Sequence, residues 1–153
     1  PRARTSEEWL EIMVRNLLDN AVSHAPKGGA VSVSLASGST GVVIRIANDN
    51  PGLVTEDVDH LFEPFWRKSG AREGGHVHAG LGLDLCRQVA TVLGAELEVD
   101  LENQGATVAF LITLPAGSDY PGFLTKRSSG ELRLAVNVLV AKPIQQPQPA
   151  APG

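Results

Sequence analysis

The chain is poor in cysteine, in aromatic residues and in positive charge. Cys86 is its one cysteine among 153 residues, so an internal disulfide is excluded and a reducing compartment suits the chain. Cys86 also lies inside an apolar helical pattern, which predicts a buried structural thiol rather than a nucleophile. Only 5% of the residues are aromatic and the formal net charge is −4. Nucleic acid and anionic membrane surfaces attract basic patches, so neither is expected as a partner. No apolar run reaches the roughly 18 residues a membrane-spanning helix needs. The first residues, PRARTSEEWLEIM, contain no apolar signal region. Two phosphate-binding signatures are missing too. G-x-x-x-x-G-K-[ST] does not occur, and G-x-G-x-x-G fails because position 85 is Leu.

What remains is ordinary for one soluble domain: 42% apolar and 20% charged residues, and enough length for a proper core. A composition break near Pro115 divides the chain into a regular region, 1–116, and an extension, 117–153, whose Pro/Gln-rich end is expected to be disordered. In the extension, Leu132, Leu134, Val136, Val138 and Val140 alternate, which predicts one extra strand.

The regular region opens with a capping box, Thr5 answered by Glu8. Leu10, Met13, Val14, Leu17 and Ala21 then repeat at helical spacing to about His24, before Pro26. Val31, Val33 and Leu35 predict one strand and Val42, Ile44 and Ile46 a second, joined by a turn at 37–41. A polar loop, 48–54, leads to a short helix with Thr55 as cap. Residues 66–79 are rich in Gly, Arg and His and read as a mobile loop. A second strong helix, 81–93, stops at Gly94. Two more strands follow, over 97–101 and 107–114, with a turn at 103–105. Hairpins link each strand pair, so a mixed or antiparallel sheet with helices on one face is expected.

Three segments carry candidate chemistry. Asn16 and Asn20 lie one helical turn apart beside the apolar stripe, where two amides can serve a metal or a phosphate. The loop Asn48-Asp49-Asn50-Pro51-Gly52 offers polar groups to a purine edge, with Gly52 free to bring backbone close. Gly80-Leu81-Gly82-Leu83 opens a helix, so its backbone N–H groups and the helix dipole favour an anion. The bland alternatives are surface amides, a turn and a glycine-rich loop.

In order and spacing these segments resemble the catalytic and ATP-binding domain of sensor histidine kinases, in the GHKL superfamily. EIMVRNLLDNAVSHAP is similar to the N box, NDNPGL to the G1 box and LFEPFWR to the F box. HAGLGLDLCRQVATVLGAELEV is similar to the G2 box with its helix, and GATVAFLITLP to the final strand. The resemblance covers residues 5–115. It implies an α+β fold, the two-layer α/β sandwich called the Bergerat fold, in which a mobile lid, 66–79, closes over ATP. It further implies that Asn20 coordinates Mg²⁺, with Asn16 and His24 near the phosphates. The G1 loop would read adenine, and Gly80, Leu81, Gly82 and Leu83 would line the phosphates. Arg67, Lys68 and Arg72 would be the lid's cations.

Three features depart from the family pattern. Asn48 stands where an Asp is usual; either Asn48 accepts from adenine, or Asp49 does so through a one-residue slip. Asn50 replaces a glycine, and Asn tolerates a left-handed backbone better than most residues. Ser23 stands where Lys or Arg is common.

The implied role is half of a cytoplasmic two-component kinase, whose parent protein can itself be membrane-anchored. The chain positions Mg-ATP, and the nucleophile is a histidine on a separate dimerisation domain that also serves a response regulator. None of His24, His60, His76 or His78 sits in a phosphoacceptor setting. His76 and His78 alternate like metal ligands but lack a third. A serine kinase of the anti-sigma type, an ATP-driven clamp and a degenerate module with weak nucleotide binding are the competing readings.

Overall fold

A computed structural model describes residues 6–68, 82–117, 124–126 and 132–134. Helix α1 spans Ser6–His24, and its Leu10, Met13, Val14, Leu17, Leu18 and Ala21 are buried. These positions recur every three or four residues, so one stripe faces inward. The helix ends before Pro26, whose ring cannot continue it. Thr5, the expected cap, lies outside the described residues.

Strands β1 (Val31–Gly38) and β2 (Gly41–Asp49) form a hairpin. Helix α2 is short, Thr55–Val58. Its cap is Val54, not Thr55. The helix start is satisfied from within, because the Asp57 carboxylate accepts the Val54 N–H at 2.9 Å. Helix α3, Gly82–Leu93, buries Cys86, Val89 and Ala90 and stops at Gly94, whose φ of 64° suits glycine. Strands β3 (Glu96–Glu102) and β4 (Thr107–Pro115) complete the core.

The sheet order is β1-β2-β4-β3 and every pairing is antiparallel. The mixed arrangement therefore does not occur among the described strands. Strand β4 leaves its hairpin with β3 and inserts beside β2, so the only strands that run in the same direction are never neighbours.

Both helices cover one face of this sheet. Ile44 and Ile46 of β2 and Val108, Phe110, Ile112 and Leu114 of β4 meet α1 and α3 in one core. Each such side chain contributes about 1.5–3 kcal/mol on burial. The other face is polar at its β3 edge, where Glu96, Glu98 and Asp100 are exposed. There Arg45 of β2 reaches over β4 to pair with Glu102. Cys86 is fully buried and its thiol, which donates to the Met13 carbonyl at 3.6 Å, is pushed up to about 12 by that burial. This is the structural thiol expected.

The C-terminal extension differs from the single strand expected. Its described part is a hairpin of β5 (Leu124–Lys126) and β6 (Leu132–Leu134), with β6 beside β1. Residues 135–140 lie outside the described residues. Among the described residues no helix is long and apolar enough to cross a membrane.

Candidate functional site

The α1 edge beside the apolar stripe carries Asn16 and Asn20, both half-buried. Asn16 is fixed: its Nδ2 donates to the Ile12 carbonyl one turn back, at 2.8 Å. The remaining oxygen faces the first residue of α3. A Cβ placed on Gly82 would lie 3.3 Å from Asn16 Oδ1. The N box and the start of the G2 helix, 66 residues apart, thus meet at one point, and only glycine fits there without pressure.

Asn48 sits near the end of β2, on the helix-facing side with Ile44 and Ile46. It is 1% exposed, the one polar residue in the buried set of the described chain. Its Nδ2 donates to the Asp49 carbonyl at 2.9 Å. Its Oδ1 is buried and has no hydrogen-bond partner among the described residues. Such a group costs about 1–3 kcal/mol when left unmade, so it needs an explanation.

Asp49 is occupied otherwise. Its carboxylate accepts the Ala30 N–H at 2.8 Å, and its own N–H donates to the Ala30 carbonyl at 3.0 Å. The G1 loop continues with Asn50, whose N–H donates to the Ala106 carbonyl at 2.9 Å. Neither Asn50 nor Gly52 has a left-handed backbone; Phe65, Asn103 and Gln104 are the non-glycine residues that do. Gly52 is exposed, and a Cβ there would meet only Asn50 Oδ1, at 3.8 Å. Nothing among the described residues requires a glycine at 52.

The F box packs through Phe62. Its ring meets Phe110 edge-on, with centroids 6.5 Å apart, and the Arg87 guanidinium lies 5.6 Å over it. His60 stacks on Trp66 and bonds Glu63 at 2.9 Å. Lys68, a candidate lid cation, pairs instead with Asp57 of α2. Its ammonium, foremost by hydrogen bonding, holds the Asp57 carboxyl below the usual range.

His24 and Arg67 are exposed, and each takes part in an interaction of its own. Leu83 packs on the core, so only its backbone can face a ligand. Gly80, Leu81, Arg72, His76, His78 and lid residues 69–79 lie outside the described residues. No group of three metal-ligating His, Cys, Asp or Glu side chains occurs among the described residues. Sequence reasoning missed Arg87 and Asp57 as F-box anchors. Asp57 was signalled by its place three residues after the cap, and Arg87 by nothing local.

Over residues 5–118 the chain matches the family described as histidine kinase-, DNA gyrase B-, and HSP90-like ATPase. It is 35% identical over 114 residues to the swarming motility regulation sensor protein RssA of Serratia marcescens, covering 72% of this chain and 23% of that protein. It is 30% identical over 119 residues to the signal transduction histidine-protein kinase AfsQ2 of Streptomyces coelicolor, covering 78% and 22%. The chain thus spans about a quarter of the length of such relatives. Among solved structures, the mycobacterial sensor histidine kinase MprB superposes with a TM-score of 0.62 at 34% identity, covering 71% of this chain and 72% of that one. The chain therefore belongs to the histidine kinase-, DNA gyrase B- and HSP90-like ATPase family, with sensor histidine kinases as its relatives.

Proposed function

We propose that this chain is the nucleotide-binding half of a sensor histidine kinase and positions Mg-ATP for transfer of the γ-phosphoryl group to a histidine on a separate dimerisation domain. The observation that carries this reading is the buried, unpartnered Oδ1 of Asn48. An acceptor kept dry and free at the end of a strand is suited to the amino group of adenine, which supplies the missing donor. Asp49 is the weaker choice for that role, since its carboxylate already serves Ala30.

The remaining assignments follow the family pattern. Asn20 supplies an oxygen to Mg²⁺, a hard ion that prefers oxygen ligands and keeps several waters. When bound, that ion neutralises charge building on the phosphates. Asn16 braces the start of α3, and the backbone N–H groups from Gly80 to Leu83 receive phosphate oxygens at a helix N-terminus. Gly52 admits the base, while His24 and Arg67 lie toward the phosphates. The chain's own part is positioning and electrostatics, which dominate phosphoryl transfer.

By the family pattern the acceptor histidine comes from elsewhere; of the described histidines, His60 is engaged with Glu63 and Trp66, and His24 ends a helix. The partners are accordingly the His-bearing domain of the same kinase and a response regulator, in the cytoplasm. A degenerate, weakly binding module is the second reading, favoured by Asn48 and Ser23, which withhold an anionic acceptor and a cation from the ligand.

Calorimetric titration with ATP and ADP, with and without Mg²⁺, tests the proposal. Dissociation constants below about 1 mM, with Mg²⁺ strengthening the triphosphate complex, are expected. No label should reach the chain itself, and a histidine should be labelled once the dimerisation domain is supplied. Absence of binding at millimolar nucleotide would refute the kinase reading and leave the degenerate one.

A further inference from the structure

A neutral amide is an ambiguous reader. A carboxylate offers acceptors only, whereas Asn offers an oxygen or, turned over, an NH₂ donor. An Asn at position 48 discriminates between purines only if something fixes which end faces the ligand.

The geometry points to Asp49 as that positioning residue. Resting on the nucleotide-binding reading above, we infer that it locks the Asn48 carboxamide oxygen-outward, so the site selects purines with an amino group at position 6 over those with an oxygen there. The lock is a short relay. The Asn50 N–H donates to the Ala106 carbonyl at 2.9 Å, on the β4 side. No peptide bond among the described residues is cis, so the Asp49 carbonyl of the same peptide unit points the opposite way. Asn48 Nδ2 donates to that carbonyl at 2.9 Å.

A carbonyl only accepts, so the amide end facing it must be the nitrogen, and Oδ1 is left toward the dry, unpartnered position. Turning the amide over would place two acceptors together and break this bond. Asp49 holds the unit from the other edge, where its side-chain carboxylate accepts the Ala30 N–H at 2.8 Å and its backbone N–H donates to the Ala30 carbonyl at 3.0 Å. Asp49 therefore acts through Asn48 without touching the base.

The test compares ADP with inosine diphosphate, which differ in the group at purine position 6 and the N1 proton that accompanies it, by calorimetry on this chain. Loss of one hydrogen bond with an acceptor left unpaired corresponds to about tenfold in affinity, so wild type should prefer ADP by that factor. Asp49→Ala should reduce the preference to about threefold or less, because the amide is freer to turn. Asp49→Asn, which keeps an oxygen for the Ala30 N–H, should retain most of it.

A merely structural role for Asp49 would weaken both nucleotides equally and leave their ratio intact, which would overturn the inference. So would a wild type that binds the two within threefold, a result that needs no variant. Wild type binding neither nucleotide would instead overturn the nucleotide-binding reading on which the lock rests.

Discussion

Under the sheet, Leu17, Ile46, Phe110 and Ile112 are all at most 1% exposed and belong to one core. Along residues 61–68, by contrast, Phe65 is 70% exposed in a left-handed backbone, and Lys68 and Asp57 hold the chain through a surface ion pair. The first region fixes Asn16 and Asn48 on regular elements with backbone partners. The second hangs on Phe62, its one ring docked against Phe110 and Arg87. Exposed ion pairs give little stability, while each core side chain contributes about 1.5–3 kcal/mol. The end of β2 that carries Asn48 is thus preorganised, and the segment 61–68 is cheap to move.

The largest effect should come from the ring contact between the regions. Phe110→Ala removes a buried ring and the edge-on partner of Phe62, so urea unfolding should show a loss of about 3–5 kcal/mol. A loss under about 1 kcal/mol would mean the regions are not joined there.

Gly82→Ala should separate stability from binding. Alanine favours a helix over glycine by up to about 1 kcal/mol, so the melting temperature should hold or rise. The new methyl, 3.3 Å from Asn16 Oδ1, should displace the start of α3 and weaken ATP by about tenfold, roughly 1.4 kcal/mol. Unchanged affinity would remove Asn16 and Gly82 from the site.

On the wall, Phe65→Gly should leave stability unchanged or raise it by about 1 kcal/mol, since a left-handed backbone costs a non-glycine residue about that much. A clear loss in chemical denaturation would show that the exposed ring packs on something.

Lys68→Ala should be the smallest change, and it carries a pH signature. Lys68 lowers the folded-state pKa of Asp57, so the pair stabilises the fold above the ordinary carboxylate range. That contribution fades as pH falls through the lowered value. Acid unfolding of wild type and Lys68→Ala should therefore differ near neutrality and converge at low pH. A constant offset would point away from Asp57.

Much of this organisation was legible in sequence because periodicity is local. The α1 stripe from Leu10 to Ala21, the end of α3 at Gly94 and all four core strands follow from spacing alone. The strand order did not, because β4 pairs with β2 although α2, α3 and β3 lie between them in the chain, and no local pattern encodes that choice. Asn16 and Asn20 could be singled out as a helical pair, but the meeting of Asn16 with Gly82 is tertiary. At the G1 loop, sequence left Asn48 and Asp49 as alternatives. The contact that distinguishes their surroundings, the clasp between Asp49 and Ala30, spans 19 residues and has no local signature. The cap of α2 was misplaced at Thr55 because the satisfying group is the Asp57 carboxylate inside the helix, not a side chain in front of it. The pairing of Lys68, a candidate lid cation, with Asp57 was not legible, because the two are 11 residues apart.

On the proposed function, the free oxygen of Asn48 is kept for a ligand rather than for the fold. Asn48→Leu tests it most directly, since leucine is close in size and removes the unpartnered acceptor. Its stability and its ADP affinity should be measured on one preparation. The account predicts stability within about 1 kcal/mol of wild type, or higher, together with at least about tenfold weaker ADP. A variant that binds ADP as well as wild type, or that loses several kcal/mol of stability, would contradict it.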